Sequence, residues 1–487
     1  MKYTLRSLLL ISSLAVVVAQ AQISKFQHII VVFQENRTPD NLFYALCAKF
    51  RCSTKPDRKQ YNIQTANWLD ETAPTGVTQP TGVALANYYG VGHGHVAWKK
   101  QCDLNTIINP PQCRMDGAAF TSANRGAFAF VINTTNTKYP NGVLTPYLTL
   151  ATQYGWANFM FQTNQGPSFP AHQFIFGGTS ALDASGDAAG TFLSGNPNGP
   201  AGCYAQDGEH IQLINSAGVE KTLTIDYATG VTLCMTRTTM ADLLDGAQVG
   251  WRYYSLKGSG ADFGGFTWTA PNAIQAICEP DTSHMNCTGS EWVSHVDLNP
   301  PDVLSDMGMK GSPCNLQGVS WVIPRGEYSD HGGSWGGPDW VGSIVNALGT
   351  SPCLNPDGSS YWNTTAVVVT WDDWGGFYDH VPPPILPFPE GGYQTGFRVP
   401  LIFVSAYTPA GYIDNLTYDF GSVLRFIEKN FGLGEGALGF ADSRATTDFT
   451  TFYNLANTPR PFTKIPTVQT GVDFLDDKTP PTAPDDE

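Results

Sequence analysis

The chain has 487 residues, 42% apolar, 12% aromatic and only 14% charged, a composition that can bury a large core and excludes a disordered protein. Its length admits about three domains or one elaborated α/β domain, and 50 glycines with 34 prolines imply many long loops. Twenty-seven Lys and Arg against 42 Asp and Glu leave a net charge of −15, which argues against a nucleic-acid partner, because neutralising phosphates takes a basic surface.

The first element in chain order is an export signal. Lys2 and Arg6 form a basic region, Leu8 to Val18 an apolar stretch too short to span a bilayer, and Ala19-Gln20-Ala21 a small-x-small cleavage site. Residues 1–21 therefore read as a signal peptide, 22–463 as the main domain and 464–487 as an acidic, Pro-containing, mobile tail. No later run reaches about 18 uninterrupted apolar residues, so no stable membrane insertion is expected. The ten cysteines all follow the signal, and an even count in an exported chain reads as disulfides. Consecutive pairing is the simplest connectivity: 47–52, 102–113, 203–234, 278–287 and 314–353. The Asn-x-Ser/Thr tripeptides at Asn36, Asn133, Asn286, Asn363 and Asn415 are common chance occurrences, and Asn36 stands where a ligand is expected below.

Short, β-branched apolar runs predict buried parallel strands at His28–Gln34, Trp156–Phe161, Val319–Ile323, Ala366–Trp371 and Val399–Ser405. Helical patterns fall at Tyr147–Tyr154, Trp340–Leu348 and Tyr418–Phe431, the last following the fifth strand. Alternating strands and helices predict an α/β sandwich with a mostly parallel sheet.

Ligands of such sheets sit at the strands' carboxyl ends, and here those ends carry the chemistry. The first strand stops at Glu35-Asn36 and the fourth at Asp372-Asp373. The second runs into Gln165-Gly-Pro-Ser168-Phe-Pro170-Ala-His172, and the third into Ser329-Asp330-His331. Any one of these residues could be a cap or turn residue; adjacent acid–acid and acid–amide pairs at two strand ends favour a site. The oxygen-rich set suits a hard divalent cation, since two neighbouring acids repel each other unless a cation lies between them. Ser168, at a predicted helix start with Pro170 early in the helix, either caps the helix or acts as a nucleophile. In the second case free N–H groups there would hold a phosphate.

Residues 28–43, HIIVVFQENRTPDNLF, resemble the opening motif of the phosphoesterase family, which groups bacterial phosphatidylcholine-type phospholipases C with secreted acid phosphatases. Cys113-Arg-Met-Asp-Gly117, Gly166–His172, Trp251–Tyr254, Val319–Pro324 with Ser329–His331, Thr370–Pro383 and Phe397–Pro400 continue the resemblance in order over about residues 26–450. The resemblance implies an alkaline-phosphatase-like α/β/α fold and phosphate-ester hydrolysis. It implies a divalent metal of unidentified type on Glu35, Asn36, Ser168, Asp372 and Asp373, with Ser168 as nucleophile. His331 and His95 would bind phosphate or protonate the leaving oxygen, with His93 the alternative to His95 and His295 a further candidate. His172, His380, Asp116 and His93 would support these residues or touch substrate. Trp371 and Trp374 would form pocket walls or core.

Thr38-Pro39 depart from the motif's usual Ser-Phe, a change expected in packing. Asp373 stands where phospholipase-type members carry Glu, and Ser168 where many of them carry Thr. The serine and the missing C-terminal domains favour an acid phosphatase acting on monoesters over a phospholipase C acting on phosphatidylcholine-type diesters. A non-catalytic exported binding protein is the third reading. A sulfatase-type reading lacks the C/S-x-P-x-R signature. The expected partner is a small-molecule or lipid-headgroup phosphate ester, the location secreted or periplasmic, and the oligomeric state open.

Overall fold

The computed structural model describes residues 24–87, 90–258, 264–385 and 395–481; residues 1–21, read above as a signal peptide, and the last six residues lie outside them. The centre is an eight-stranded sheet built from β1 (His28–Gln34), β2 (Gly155–Met160), β3 (Trp251–Tyr254), β4 (Val296–Asp297), β5 (Val319–Val322), β6 (Thr365–Trp371), β7 (Leu401–Ser405) and β8 (Tyr412–Tyr418). The spatial order is β4-β3-β5-β1-β6-β7-β2-β8. β1 lies between β5 and β6 and parallel to both. Its sequence and that of β6, HIIVVFQ and TAVVVTW, are buried at every position, as expected of central strands covered on both faces.

Five helices frame the sheet and its loops: α1 (His95–Cys102), α2 (Thr145–Gln153), α3 (Ser168–Gly177), α4 (Gly337–Gly349) and α5 (Phe420–Phe431). Alternation along β1 assigns the layers. Phe33 packs edge-on against His172 of α3 and Phe420 of α5, while the adjacent Gln34 donates to Tyr147 of α2. α2 packs with α4, and α3 with α5. The fold is an α/β/α sandwich.

Two strand expectations need correction. β7 is antiparallel to both neighbours, β6 and β2, the exception in an otherwise parallel sheet. Between β7 and α5 the chain makes a further strand, β8, parallel to β2 at the sheet edge, so the predicted helix begins only at Phe420. Asp419 caps it by accepting from Ser422 N, and Gly432 in the left-handed region (φ 71°) ends it.

The tail is also not free as far as residue 481. Ile465 N–H donates to Asn346 of α4, Asn346 donates back to the Ile465 carbonyl, and Asp339 of α4 accepts from Val468 and Gln469 N–H. The short helix Gly471–Asp476 buries Phe474 against Trp340 and Tyr328. The five disulfides pair as expected, and none involves a strand of the large sheet.

Candidate active site

Two strand ends interlock to make the acidic floor. Glu35 and Asn36 follow β1, and Asp372 and Asp373 follow β6, the strand beside it. Asp372 N–H donates to the Gln34 carbonyl at 2.8 Å, Arg37 N–H to the Asp373 carbonyl at 3.0 Å, and Asn36 N–H to Asp372 Oδ1 at 2.8 Å. Asn36 has a left-handed backbone, φ 60°, which asparagine tolerates better than most residues. Gly375 closes the turn after the acid pair at φ 60°, and a Cβ there would lie 2.5 Å from the Asn36 carbonyl oxygen, so the close approach requires glycine. Asp373 Oδ1 accepts from Gly375 N–H at 2.6 Å.

Ser168 is the first residue of α3, which follows β2, and its Oγ donates to Glu35 Oε2 at 3.1 Å. Ser168 is therefore inside the helix, with Pro167 as the capping residue. The anion-binding helix start expected from the sequence is reduced. Phe169 N–H donates to Asn196 Oδ1, and Pro170 has no N–H. His172, one turn on, places Nε2 2.8 Å from Glu35 Oε1, with both side chains fully buried. Its Nδ1 lies 3.4 Å from Tyr253 Oη, and Tyr253 donates to the Trp268 carbonyl at 2.9 Å.

His331 and His93 come from loops and His95 from a helix start. His331 N–H donates to Ser329 Oγ, and the Ser329 carbonyl accepts from Glu35 N–H, which ties this loop to the floor. Its ring lies 6.4 Å from His93 and 5.9 Å from Trp268 between centroids. His93 is held by the Val91 carbonyl and lies edge-on to Trp374. His95 opens α1 and is buried, with Nδ1 2.9 Å from Glu220 Oε1. Its hydrogen bond brings Glu220 down to about 2. Glu220 stands 125 positions along the chain, in the strand Glu220–Thr224 of a separate small sheet, and nothing local in the sequence pointed to it. Sequence reasoning also passed over Tyr253 and Trp268 as site neighbours.

Other candidates lie further out. His380 bonds Asp40 Oδ2 and Asn62 Oδ1. Arg398 grips Asp379 with two hydrogen bonds, and its Nη2 lies 3.6 Å from Asp40. That buried group of Asp40, Asp379 and His380 is filled by the guanidinium, and it locks the loop after the acid pair to the helix after β1. Thr38 adds to the lock by donating to the Tyr378 carbonyl and capping that helix. Arg37 is turned away from the floor, donating to the Asp330 carbonyl and lying over Phe377. Asp330 accepts from Tyr147 and Trp371, and burial lifts it to about 6. Trp371 is thus core on the α2 face, and Trp374 is buried against Phe397 and donates to Gln101. Asp116 groups with Glu71 and Asp103 beside Arg114, not with the floor residues. His295 stacks on Trp251, the first residue of β3, and so sits at the opposite end of the sheet.

The floor fits a cation. Asn36 Oδ1, Asp372 Oδ2 and Asp373 Oδ2 are buried oxygens with no protein partner, where such atoms are rare without a reason. Ligand atoms of Glu35, His172 and Asp372 fall within 4.8 Å of one another. Burial first, and then Asp372 and Asp373, push Glu35 well above the usual carboxylate range. Burial and Asp372 do the same to Asp373, and burial brings His172 down to about 4. Carboxylates this crowded are stable as anions only with a positive charge among them.

The Phosphoesterase family model matches residues 26–434. Hemolytic phospholipase C of Pseudomonas aeruginosa is 23% identical over 454 residues, 85% of this chain and 54% of that protein. Phospholipase C B of Mycobacterium tuberculosis is 33% identical over 168 residues, 30% of this chain and 31% of that protein. Non-specific phospholipase C6 of Arabidopsis thaliana is 32% identical over 172 residues, 31% and 29% of the two chains. The chain spans between 25% and 54% of the length of the Pseudomonas phospholipases it matches. Among solved structures, a protein in the alkaline phosphatase superfamily from Vibrio parahaemolyticus aligns over 63% of this chain and 65% of that one, at 11% identity and a TM-score of 0.31; at that score the likeness carries no argument.

Proposed function

Because the chain belongs to the Phosphoesterase family, we propose that it is an exported hydrolase of phosphate esters, with Ser168 as nucleophile and a divalent cation held by Glu35, Asn36, Ser168, Asp372 and Asp373. The observation that carries this reading is the meeting of Ser168 Oγ with Glu35 beside three partnerless buried oxygens. A cation bound there would offset the crowded carboxylates, polarise a phosphoryl oxygen and lower the pKa of the serine hydroxyl.

The protein's own groups supply the rest. Glu35 Oε2 accepts the Ser168 hydroxyl hydrogen bond and orients Oγ towards phosphorus. As the Oγ–P bond forms, the Ser168 proton passes to Glu35, the bond from phosphorus to the leaving oxygen breaks on the far side, and His331 or His95 gives that oxygen a proton. Water then cleaves the phosphoserine and restores the hydroxyl. Arg37, committed elsewhere, supplies no clamp for a dianion.

The similar proteins are named phospholipases C, which favours phospholipid diesters and shifts the weight away from the monoester preference stated above. The monoester reading keeps one specific support, Ser168 in place of threonine. Export rests on the N-terminal signal pattern and on the five disulfides. Among the described residues no helix is long and apolar enough to cross a membrane.

The test is a rate panel with an aryl phosphate, an aryl phosphorylcholine and a bis-aryl phosphate, each with and without chelator. The aryl phosphorylcholine should give the highest kcat/KM, and chelator should abolish turnover of every substrate. A higher kcat/KM for the aryl phosphate selects the monoester reading. No turnover of any ester rejects both.

A further inference from the structure

Ser168 and His172 stand four residues apart on α3, so their side chains leave the same face of the helix. Both end on one carboxylate: Ser168 Oγ on Glu35 Oε2 at 3.1 Å and His172 Nε2 on Glu35 Oε1 at 2.8 Å. One helical turn therefore holds both oxygens of Glu35. All ten residues of α3 are buried, so the ring's polar partners are protein groups. Nδ1 faces the Tyr253 hydroxyl at 3.4 Å, whose own proton goes to the Trp268 carbonyl at 2.9 Å. The short contact is the one to the carboxylate, which accepts, so Nε2 carries a hydrogen and donates it to Glu35.

We propose that His172 is a positioning residue: its Nε2–H fixes one oxygen of Glu35, leaving the other for Ser168 and the cation, and its ring braces this arrangement against Trp268. The assignment rests on the phosphoesterase reading and its cation site. Two observations favour a strut over a metal ligand. Nε2 is already occupied by Glu35, and the oxygens that lack partners belong to Asn36, Asp372 and Asp373. The ring also has a second neighbour of consequence. Trp268 lies near-parallel to it at 6.4 Å between centroids and stands 5.9 Å from His331. The strut thus spans the carboxylates and the histidine loop, with the Tyr253 to Trp268 hydrogen bond as its far anchor.

The test compares the full-length mature wild-type protein with His172→Phe, which keeps a flat ring and removes both nitrogens, and His172→Gln, whose amide can replace the Nε2 donor. The readouts are Mn²⁺ affinity by electron paramagnetic resonance titration, kcat and KM on aryl phosphorylcholine, and nitrogen coupling to bound Mn²⁺ by spin-echo modulation. His172→Phe should bind Mn²⁺ about 10–100-fold more weakly, the usual effect of removing a partner that orients a ligand, and should lose kcat with little change in KM. His172→Gln should recover most of the affinity.

Wild-type affinity and kcat in His172→Phe would overturn the proposal. So would a directly bound imidazole nitrogen that is present in the wild type and lost in His172→Gln, which would make His172 a ligand. Should His172→Phe not fold, His172→Gln decides alone: near-wild-type Mn²⁺ affinity supports the strut, and a 100-fold loss rejects it. A wild-type protein that hydrolyses esters without binding Mn²⁺ breaks the cation reading and leaves the strut to the kcat comparison. One that binds Mn²⁺ without hydrolysing any ester breaks the functional reading and leaves the strut to the affinity comparison.

Discussion

The carboxylate half of the site and its histidine half are built in opposite ways. Glu35, Asn36, Asp372 and Asp373 sit directly on the ends of two adjacent central strands, joined by backbone hydrogen bonds within a few residues. His93, His95, His331 and Trp268 come from separate loops and from the start of α1. Their anchors are side-chain contacts of very different span: Glu220, 125 positions on, for His95; Ser329, two residues back, for His331; and Tyr253 for the Trp268 carbonyl. The crowded charges are thus carried by the two fully buried central strands. The groups that would meet the ester and its leaving oxygen are carried by loops, where sequence can change without disturbing the sheet.

The strongest way to break that division is Ser168→Ala. Among the described residues its side chain makes a single hydrogen bond, to Glu35, so the variant should fold and melt like wild type while turnover falls about 10⁴–10⁶-fold, the range for losing a catalytic nucleophile. Retention of more than a few per cent of the rate in purified protein would remove Ser168 from that role.

Asp373→Asn tests the carboxylate half next. It should lose the cation by elemental analysis and about 10³-fold in rate. It also makes a prediction about stability with a definite sign. Without a cation, Glu35 and Asp373 bind protons more tightly in the folded state than in the unfolded chain. The chelated protein should therefore be most stable near pH 4 and lose stability as pH rises towards 7. Asp330 and Asp297, each lifted to about 6 by burial, act in the same direction. Adding cation or replacing Asp373 should flatten this dependence without abolishing it. Thermal melts at pH 5 and 7 with chelator check it, and equal slopes for wild type and Asp373→Asn would contradict the crowding argument. His331→Gln, in the other half, should cost about 10²-fold in kcat and leave cation content at the wild-type level; a loss of cation would place His331 among the ligands.

The same division explains what could be read from the sequence. Strand ends were legible, because β-branched runs such as IIVVF and AVVVTW announce buried strands and the acid pairs follow at once. β8 was not: YIDNLTY is an edge strand with Leu416 and Thr417 exposed and Asp and Asn within it, so it lacks the continuous apolar run. The antiparallel setting of β7 follows from its long connection to β6. The partner of His172 was hidden because α3 is apolar on all sides and has no face to orient it. The pairing of His95 with Glu220 joins a helix start and a small-sheet strand far apart in the chain. The docked tail was masked by its acidic, Pro-containing composition, although Ile465 and Phe474 were the anchors.

The smallest effect expected is at the Cys102–Cys113 disulfide, which closes the end of α1 opposite His95. Replacing both cysteines with Ala releases a loop with 11 residues of sequence separation, worth about 3 kcal/mol by chain entropy. If the histidine half depended on this staple, His95 would shift and activity would collapse. A second anchor argues otherwise. Gln101, the residue before Cys102, donates to the Gly376 carbonyl and to Thr121, and accepts from Trp374 Nε1. α1 is therefore pinned to the loop after the acid pair independently of the sulfur bridge, and Glu220 holds His95 at the other end. The double variant should melt several degrees lower, keep its cation affinity and lose no more than about threefold in kcat/KM, well under the 10²-fold of a lost charge-stabilising contact. A tenfold or greater loss in kcat/KM with cation affinity intact would mean that the histidine half takes its geometry from the disulfide and not from the acid-pair loop.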